Sequence, residues 1–263
     1  TAEQKAFRAK PLDEVEQNLR LLRALRDCEA PLAPPPRVFL ADGDAMTLPV
    51  ARLQAILSLT REAFPDVSRI ASYCLPRNLR HKTVEDLAVL RELGLRTLYV
   101  GCESGDDDVL RRIGKGETQQ SALDALRKIR QAGLKSSVMI LHGLGGRHLS
   151  AQHAQGSAKL MNAAQPDFLS TLVVSFPLGQ ERHAAGFADL PGGFEPLDPL
   201  DVVDEMALFM EHLELWRTIF RSDHASNYLP LAGVLGRDKE RLLTELDAAR
   251  AGGGDVLRPE WAR

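Results

Sequence analysis

Cysteine is scarce in this sequence. The 263 residues hold three, Cys28, Cys74 and Cys102. An odd number at wide spacing excludes a disulfide framework and fits a reducing, cytoplasmic setting. Long apolar runs are also absent, since none approaches the ~18 residues a membrane-crossing helix needs. No basic-then-apolar leader pattern opens the chain, so neither a membrane span nor a signal peptide is expected. Basic charge is not in excess: 33 Lys and Arg against 36 Asp and Glu give a formal net charge of −3. Bulk attraction to nucleic acid or to an anionic membrane surface is therefore not expected. The GxSxG elbow of hydrolases and the GxGxxG and GxxxxGK[ST] phosphate loops are missing as well. His142, His148 and His153 lie close together, but HExxH is absent and no carboxylate accompanies them at ligand spacing, so no metal site is expected in this chain.

What is present is an ordinary globular balance, 44% hydrophobic and 26% charged, long enough for one large domain or a barrel with an appendage. Val15, Leu19, Leu22 and Leu25 repeat at helical intervals over residues 12–27, and a stiff Pro34-Pro35-Pro36 connector leads to a strand at 38–41. Pro49 starts a helix carrying Leu53, Ile56 and Leu57 inward. Further strands are predicted at 69–74, 98–101, 135–141 and 169–176. Between them stand a helix opened by Thr83 in capping-box style, a helix from Asp106 or Asp107 running on through Ile129, and a helix over 150–164. Strands and helices alternate with short connectors, the pattern of parallel βαβ units that curl into a full or partial (β/α) barrel. The rhythm breaks at Pro177. Residues 179–199 read as a long surface loop and a candidate lid, 201–221 as an amphipathic helix, 222–229 as a polar turn and 238–250 as a last helix. The expected organisation is an α/β barrel core over 1–180 and a mostly helical extension over 181–263.

The chemistry gathers at strand exits. Asp42-Gly43-Asp44, the segment from Ser72 to Arg77, Glu103, His142-Gly143-Leu144-Gly145-Gly146 and Pro177-Leu178-Gly179 each follow a strand directly. A barrel brings such exits to one rim. An Asp-Gly pair is also an ordinary turn, and Glu103 alone is also an ordinary loop acid. His142 stands at an exit and is a candidate to face substrate. His224 and Asn227 are candidates to reach over the rim, although His224 equally suits a turn residue bonded to its own backbone.

Residues 101–116, GCESGDDDVLRRIGKG, resemble the fourth-strand motif of the radical S-adenosylmethionine (SAM) superfamily. The resemblance implies that Glu103 bonds the ribose hydroxyls of SAM and that Lys115 approaches its carboxylate. Asp42-Gly43-Asp44 is similar to the superfamily's Gly-Gly-Glu element, which holds the SAM ammonium, with Asp42 replacing a glycine and the shorter Asp44 replacing Glu. Gly143-Leu144-Gly145-Gly146 is similar to the element that passes the adenine, where glycines admit a flat ring. Residues 172–176 correspond to the strand that pairs with the adenine. Ser72 and Arg77 complete the expected SAM-binding set. The implied cofactors are SAM and a [4Fe–4S] cluster, and the implied partners a substrate of unread identity and an electron donor. The superfamily's CxxxCxxC loop is missing, and none of the three cysteines replaces it. In members like this one the loop shortly precedes a segment like Phe7 to Leu12, so its omission from the chain is expected rather than its loss. Two other readings stay open. One is a different (β/α)-barrel enzyme on a phosphorylated or carboxylated metabolite, with Glu103 and Asp44 as acid and base. The other is a cluster-less binding or scaffold protein.

Overall fold

Strand-forming runs separated by capped helices produce the expected alternation. The computed structural model describes residues 9–29, 36–41, 43–253 and 256–258. Among the described residues, seven strands follow one another in sheet order as they do in the chain. By compactness the chain forms two units, one taking residues up to Tyr99 with Lys128–Lys135, the other Val100–Arg127 with Ser136–Arg263.

The first unit contains α1 (Leu12–Glu29), β1 (Arg37–Leu40), α2 (Val50–Ala63), β2 (Arg69–Cys74), α3 (Val84–Glu92) and the start of β3 (Leu95–Glu103). β1 and β2 run parallel, with Val38 opposite Ile70 and Leu40 opposite Ser72. Thr83 caps α3 as its spacing predicts: its side chain accepts from Asp86 N, and Asp86 accepts from Thr83 N in return. Leu53, Leu57, Ile70, Leu87, Leu90 and Leu98 form the unit's apolar interior. Phe39, Tyr73 and Tyr99, one from each strand, gather edge to face with centroids 4.7 to 6.3 Å apart.

The second unit begins inside β3 and continues through α4 (Asp107–Arg112), α5 (Gln119–Gln131, whose last turn belongs to the first unit), β4 (Lys135–His142) and α6 (Gly146–Ala164). It closes with β5 (Phe168–Val173), α7 (Glu181–Ala184), α8 (Pro199–His212), β6 (Ile219–Ser222), β7 (Leu231–Val234) and α9 (Lys239–Ala251). β4, β5 and β6 are parallel neighbours, with Ile140 opposite Thr171 and Leu169 opposite Phe220, and β7 returns antiparallel on β6. Asp106 caps α4 by accepting from Val109 N. The helix predicted to run on through Ile129 is interrupted, because Gly114 and Gly116 adopt left-handed φ of 65° and 70° between α4 and α5.

Two expectations for the C-terminal third need correction. The helix predicted over 201–221 stops at His212, and two short strands, β6 and β7, stand between it and α9. The β-branched and aromatic residues Thr218-Ile219-Phe220 extend instead, where an open strand edge is available to pair them. That pairing sets β6 parallel beside β5. Residues 179–199 are also not a bare loop. Phe187 and Phe194 are buried, and His183 packs between them and Phe176 with ring centroids 4.5 to 5.1 Å away. Arg112 pins the segment from below by donating to Gly186 O at 3.1 Å and pairing with Asp189.

His183 Nε2 donates to Leu144 O at 3.0 Å, which places its proton on that nitrogen. Burial pulls the imidazole below its ordinary pKa, against a smaller upward pull from the Leu144 carbonyl. The unfolded residue titrates near 6.5, so this stability is complete above that pH and is lost as pH falls through the lower folded value. Protection factors of the amides over residues 181–195, taken relative to intrinsic exchange at each pH, should therefore fall between pH 7 and pH 5, and this dependence should flatten in His183→Leu. Equal protection at both pH values in the parent protein would remove the argument. Among the described residues, no helix is long and apolar enough to cross a membrane.

Candidate functional site

Glu103 ends β3 in a conformation that side chains avoid, with φ of 64°. A left-handed non-glycine residue costs on the order of 1–3 kcal/mol and persists where its surroundings dictate it. Those surroundings are on hand. Ser104 is fully buried, with its Oγ accepting from Asp106 N at 3.0 Å and lying 2.8 Å from Nδ1 of His153 on α6. Gly105 N donates to Ser157 Oγ at 2.9 Å, and Gln119 Nε2 donates to Gly105 O at 2.6 Å. The turn is thus clamped by α6 from one side and α5 from another.

Glycine at 105 is required by contact. A Cβ there would lie 2.7 Å from Ser157 Cα and closer still to the Gly156 carbonyl. Both neighbours are backbone and cannot swing away. Gly105→Ala should cost about 1–3 kcal/mol, read as a lower denaturation midpoint. An unchanged midpoint would show that α6 can retreat at no cost.

The Glu103 carboxylate is drawn toward Lys115, Nζ to Oε1 2.8 Å, with both side chains less than a fifth exposed. The two left-handed glycines flank Lys115 and reverse the chain after α4. An acid and a lysine therefore share the tip of β3. Cys102, one residue earlier, points inward, and burial first and then the Glu103 charge push its thiol up to about 12.

At the exit of β4 the backbone turns at Gly143, φ 81°. Gly143 N donates to Oε1 of Glu205 at 2.8 Å, and Leu144 is buried with its carbonyl taken by His183. His142 corrects the expectation that it faces substrate. It is fully buried, its Nδ1 lies 3.0 Å from the same Glu205 oxygen, and Phe209 packs edge-on against it. Ser150 Oγ donates to the other Glu205 oxygen at 2.6 Å. Burial raises the Glu205 carboxyl, but the two histidines and Ser150 outweigh it and hold the group below the ordinary carboxylate range. Burial likewise lowers His153. Glu205, on α8, is the functional residue the sequence reading missed. It is 63 residues from His142, and only tertiary packing brings them together.

In the first unit, Asp44 is an organiser of turns. Its Oδ1 accepts from Met46 N at 3.0 Å, and its Oδ2 from Leu75 N at 3.1 Å and from Asn78 Nδ2. Lys82 donates to Met46 O and Asn78 O, and Lys128 to Leu79 O and Lys82 O, which locks the exit of β2. Asp44 is thus occupied on both oxygens, and an acid–base role for it loses its footing. Gly43 turns with φ 123°, and Asp42 lies outside the described residues. Ser72 corrects another expectation: it is fully buried, and its hydroxyl is spent on the Tyr73 carbonyl at 3.0 Å. Arg77 is exposed on the turn after β2.

The C-terminal candidates are structural as placed. His224 Nδ1 accepts from Ser226 N at 3.1 Å within its own turn. Asn227 is buried and donates to Thr171 O at 2.8 Å and Ser222 Oγ at 3.1 Å, holding β5 and β6 together. The cysteines do not form a cluster-ligand set, because Cys28 is exposed on α1 while Cys74 and Cys102 are buried at strand ends.

Comparison with known proteins agrees with the motif at the tip of β3. The chain is 22% identical over 138 residues to the heme chaperone HemW of Bacillus subtilis, covering 52% of this chain and 36% of that protein. It is 28% identical over 193 residues to an uncharacterized protein of Methanopyrus kandleri, covering 72% of this chain and again 36% of the relative. The chain spans only about a third of the length of these curated relatives. Among solved structures, coproporphyrinogen III oxidase (HemN) from Escherichia coli shares the fold with a TM-score of 0.53 at 20% identity, over 77% of this chain and 47% of that one. Elp3 of Methanocaldococcus infernus does so with a TM-score of 0.59 at 14% identity, over 91% and 59%. The family model described as the Radical SAM superfamily matches residues 4–151, more than half of the sequence, and the chain belongs to that superfamily.

Proposed function

We propose that the strand exits of this chain hold SAM, with Glu103 as the anchor for its ribose. The observation that carries the reading is the strained, clamped Glu103: a carboxylate fixed at a strand tip beside a lysine. A carboxylate offers two oxygens to a pair of vicinal hydroxyls, and an ammonium suits a carboxylate. On this reading Lys115 turns from Glu103 to the SAM carboxylate, and Gly143, with no side chain, lets the adenine approach the exit of β4. When bound and reduced by one electron, SAM supplies the superfamily's reagent, a 5′-deoxyadenosyl radical.

A [4Fe–4S] cluster does not fit the cysteines at 28, 74 and 102, and no step is assigned to them. A small-molecule substrate and an external electron donor belong to the same proposal. Anaerobic incubation of the natural gene product with SAM and a low-potential reductant should release 5′-deoxyadenosine and methionine. Iron analysis should find about four irons per chain. A preparation with its iron in place that leaves SAM intact would contradict the proposal, and an iron-free natural product would favour a binding or scaffold role.

A further inference from the structure

Two imidazoles and a carboxylate meet inside the second unit although no ligand motif announces them. His142 ends β4, His153 lies within α6 and Glu205 within α8, and all three side chains are sealed from solvent. Nδ1 of His142 is 3.0 Å, and Nε2 of His153 3.7 Å, from the same oxygen, Oε1 of Glu205. One ligand atom from each residue lies within 4.8 Å of the other two. Tetrahedral zinc with bonds of about 2.0–2.1 Å sets its ligand atoms roughly 3.3 Å apart. The two distances to Glu205 bracket that separation.

The surroundings point the same way. Nε2 of His153 is buried without a hydrogen-bond partner and faces Glu205. Buried polar atoms are rarely left in that state. The other nitrogen of His153, Nδ1, lies 2.8 Å from Ser104 Oγ, and a ligating imidazole characteristically rests its second nitrogen on an oxygen in this manner. Gly143 N and Ser150 Oγ orient the carboxylate at 2.8 and 2.6 Å. His142 frees Nδ1 by shifting its ring proton to Nε2, a tautomer change with no net proton lost. Two nitrogens and one carboxylate oxygen suit zinc, not calcium or magnesium, which prefer all-oxygen sets.

We propose that His142, His153 and Glu205 form a structural zinc site, with the Ser150 hydroxyl or a water as fourth ligand. Its burial makes it a closed site of the structural kind. The metal would tie β4, α6 and α8 at the exit where Gly143 turns, and the site is independent of the reading of the strand exits given above. The missing sequence signal is spacing, since Glu205 is far along the chain from both histidines.

The test is metal binding by the full chain after chelator stripping. Zinc should bind at one per chain, and cobalt(II) in its place should show the visible absorption of a tetrahedral N/O site. His153→Asn and Glu205→Gln should each weaken binding by more than the roughly 10–100-fold that loss of a mere outer-shell partner costs, whereas His148→Ala, in an exposed neighbour, should not. Circular dichroism would establish that the variants fold. If they do not, zinc added to the parent protein should still raise its melting temperature saturably, and a chelator should reverse it. Absence of saturable zinc binding by the folded parent chain, or full affinity in both variants, would overturn the proposal and leave a hydrogen-bonded network only.

Discussion

Glu205→Ala is expected to cost about 3–5 kcal/mol of stability, the range for removing one member of a buried, hydrogen-bonded charge cluster. The magnitude follows from what the carboxylate satisfies. Gly143 N, His142 Nδ1 and Ser150 Oγ all donate to it; the first two are buried, and Ser150 is half-buried. A buried donor stripped of its acceptor costs about 1–3 kcal/mol, and partial relaxation keeps the sum below simple addition. Glu205→Gln should lose less, because one amide oxygen still accepts while the amide nitrogen meets donors. Chemical denaturation of the two variants beside the parent checks this. A loss below about 1 kcal/mol in Glu205→Ala would mean that the three donors find other partners.

The second large effect separates binding from folding. Glu103→Gly should leave stability unchanged or raise it, because glycine adopts φ of 64° without the steric cost an L-residue bears. The lost Lys115 pair is partly exposed and worth little. SAM affinity should fall by about 10- to 100-fold, the equivalent of hydrogen bonds to a charged group at about 1.5–3 kcal/mol. Calorimetry of the variant supplies both readings. A Glu103→Gly protein that is stable and binds SAM at parental affinity would retire the anchor role. One that is markedly destabilised would recast Glu103 as a structural residue.

Much of the fold was legible because its signals are local. Thr83 and Asp106 cap helices as their spacing to Asp86 and Val109 demands, and the tip of β3 reads directly from Gly101-Cys102-Glu103-Ser104. Local reasoning failed where partners decide. β6 follows an amphipathic helix with no proline or glycine between them, so periodicity ran past the true end at His212 and only pairing with β5 reveals the strand. The polar groups behaved alike. Ser72, His142 and Asn227 looked like exit groups open to a ligand, yet each is turned inward, Ser72 onto the carbonyl of its own neighbour and the other two onto a carboxylate or carbonyl supplied by a distant element. Lys82 and Lys128, which fasten the turn after β2, resemble any surface lysine in sequence. The 179–199 stretch misled through its glycines and prolines, while its three aromatic anchors, His183, Phe187 and Phe194, are spaced without a period.

The central claim is that SAM is held by the tip of β3 and the exit of β4. Backbone amide chemical shifts of the isotopically labelled chain, followed during SAM addition, test it most directly because they detect even weak binding. The largest changes should fall on residues 101–105 and 143–146 and should need about 10- to 100-fold more SAM in Glu103→Ala. Saturable shifts centred on other residues, or an identical titration in the variant, would contradict it.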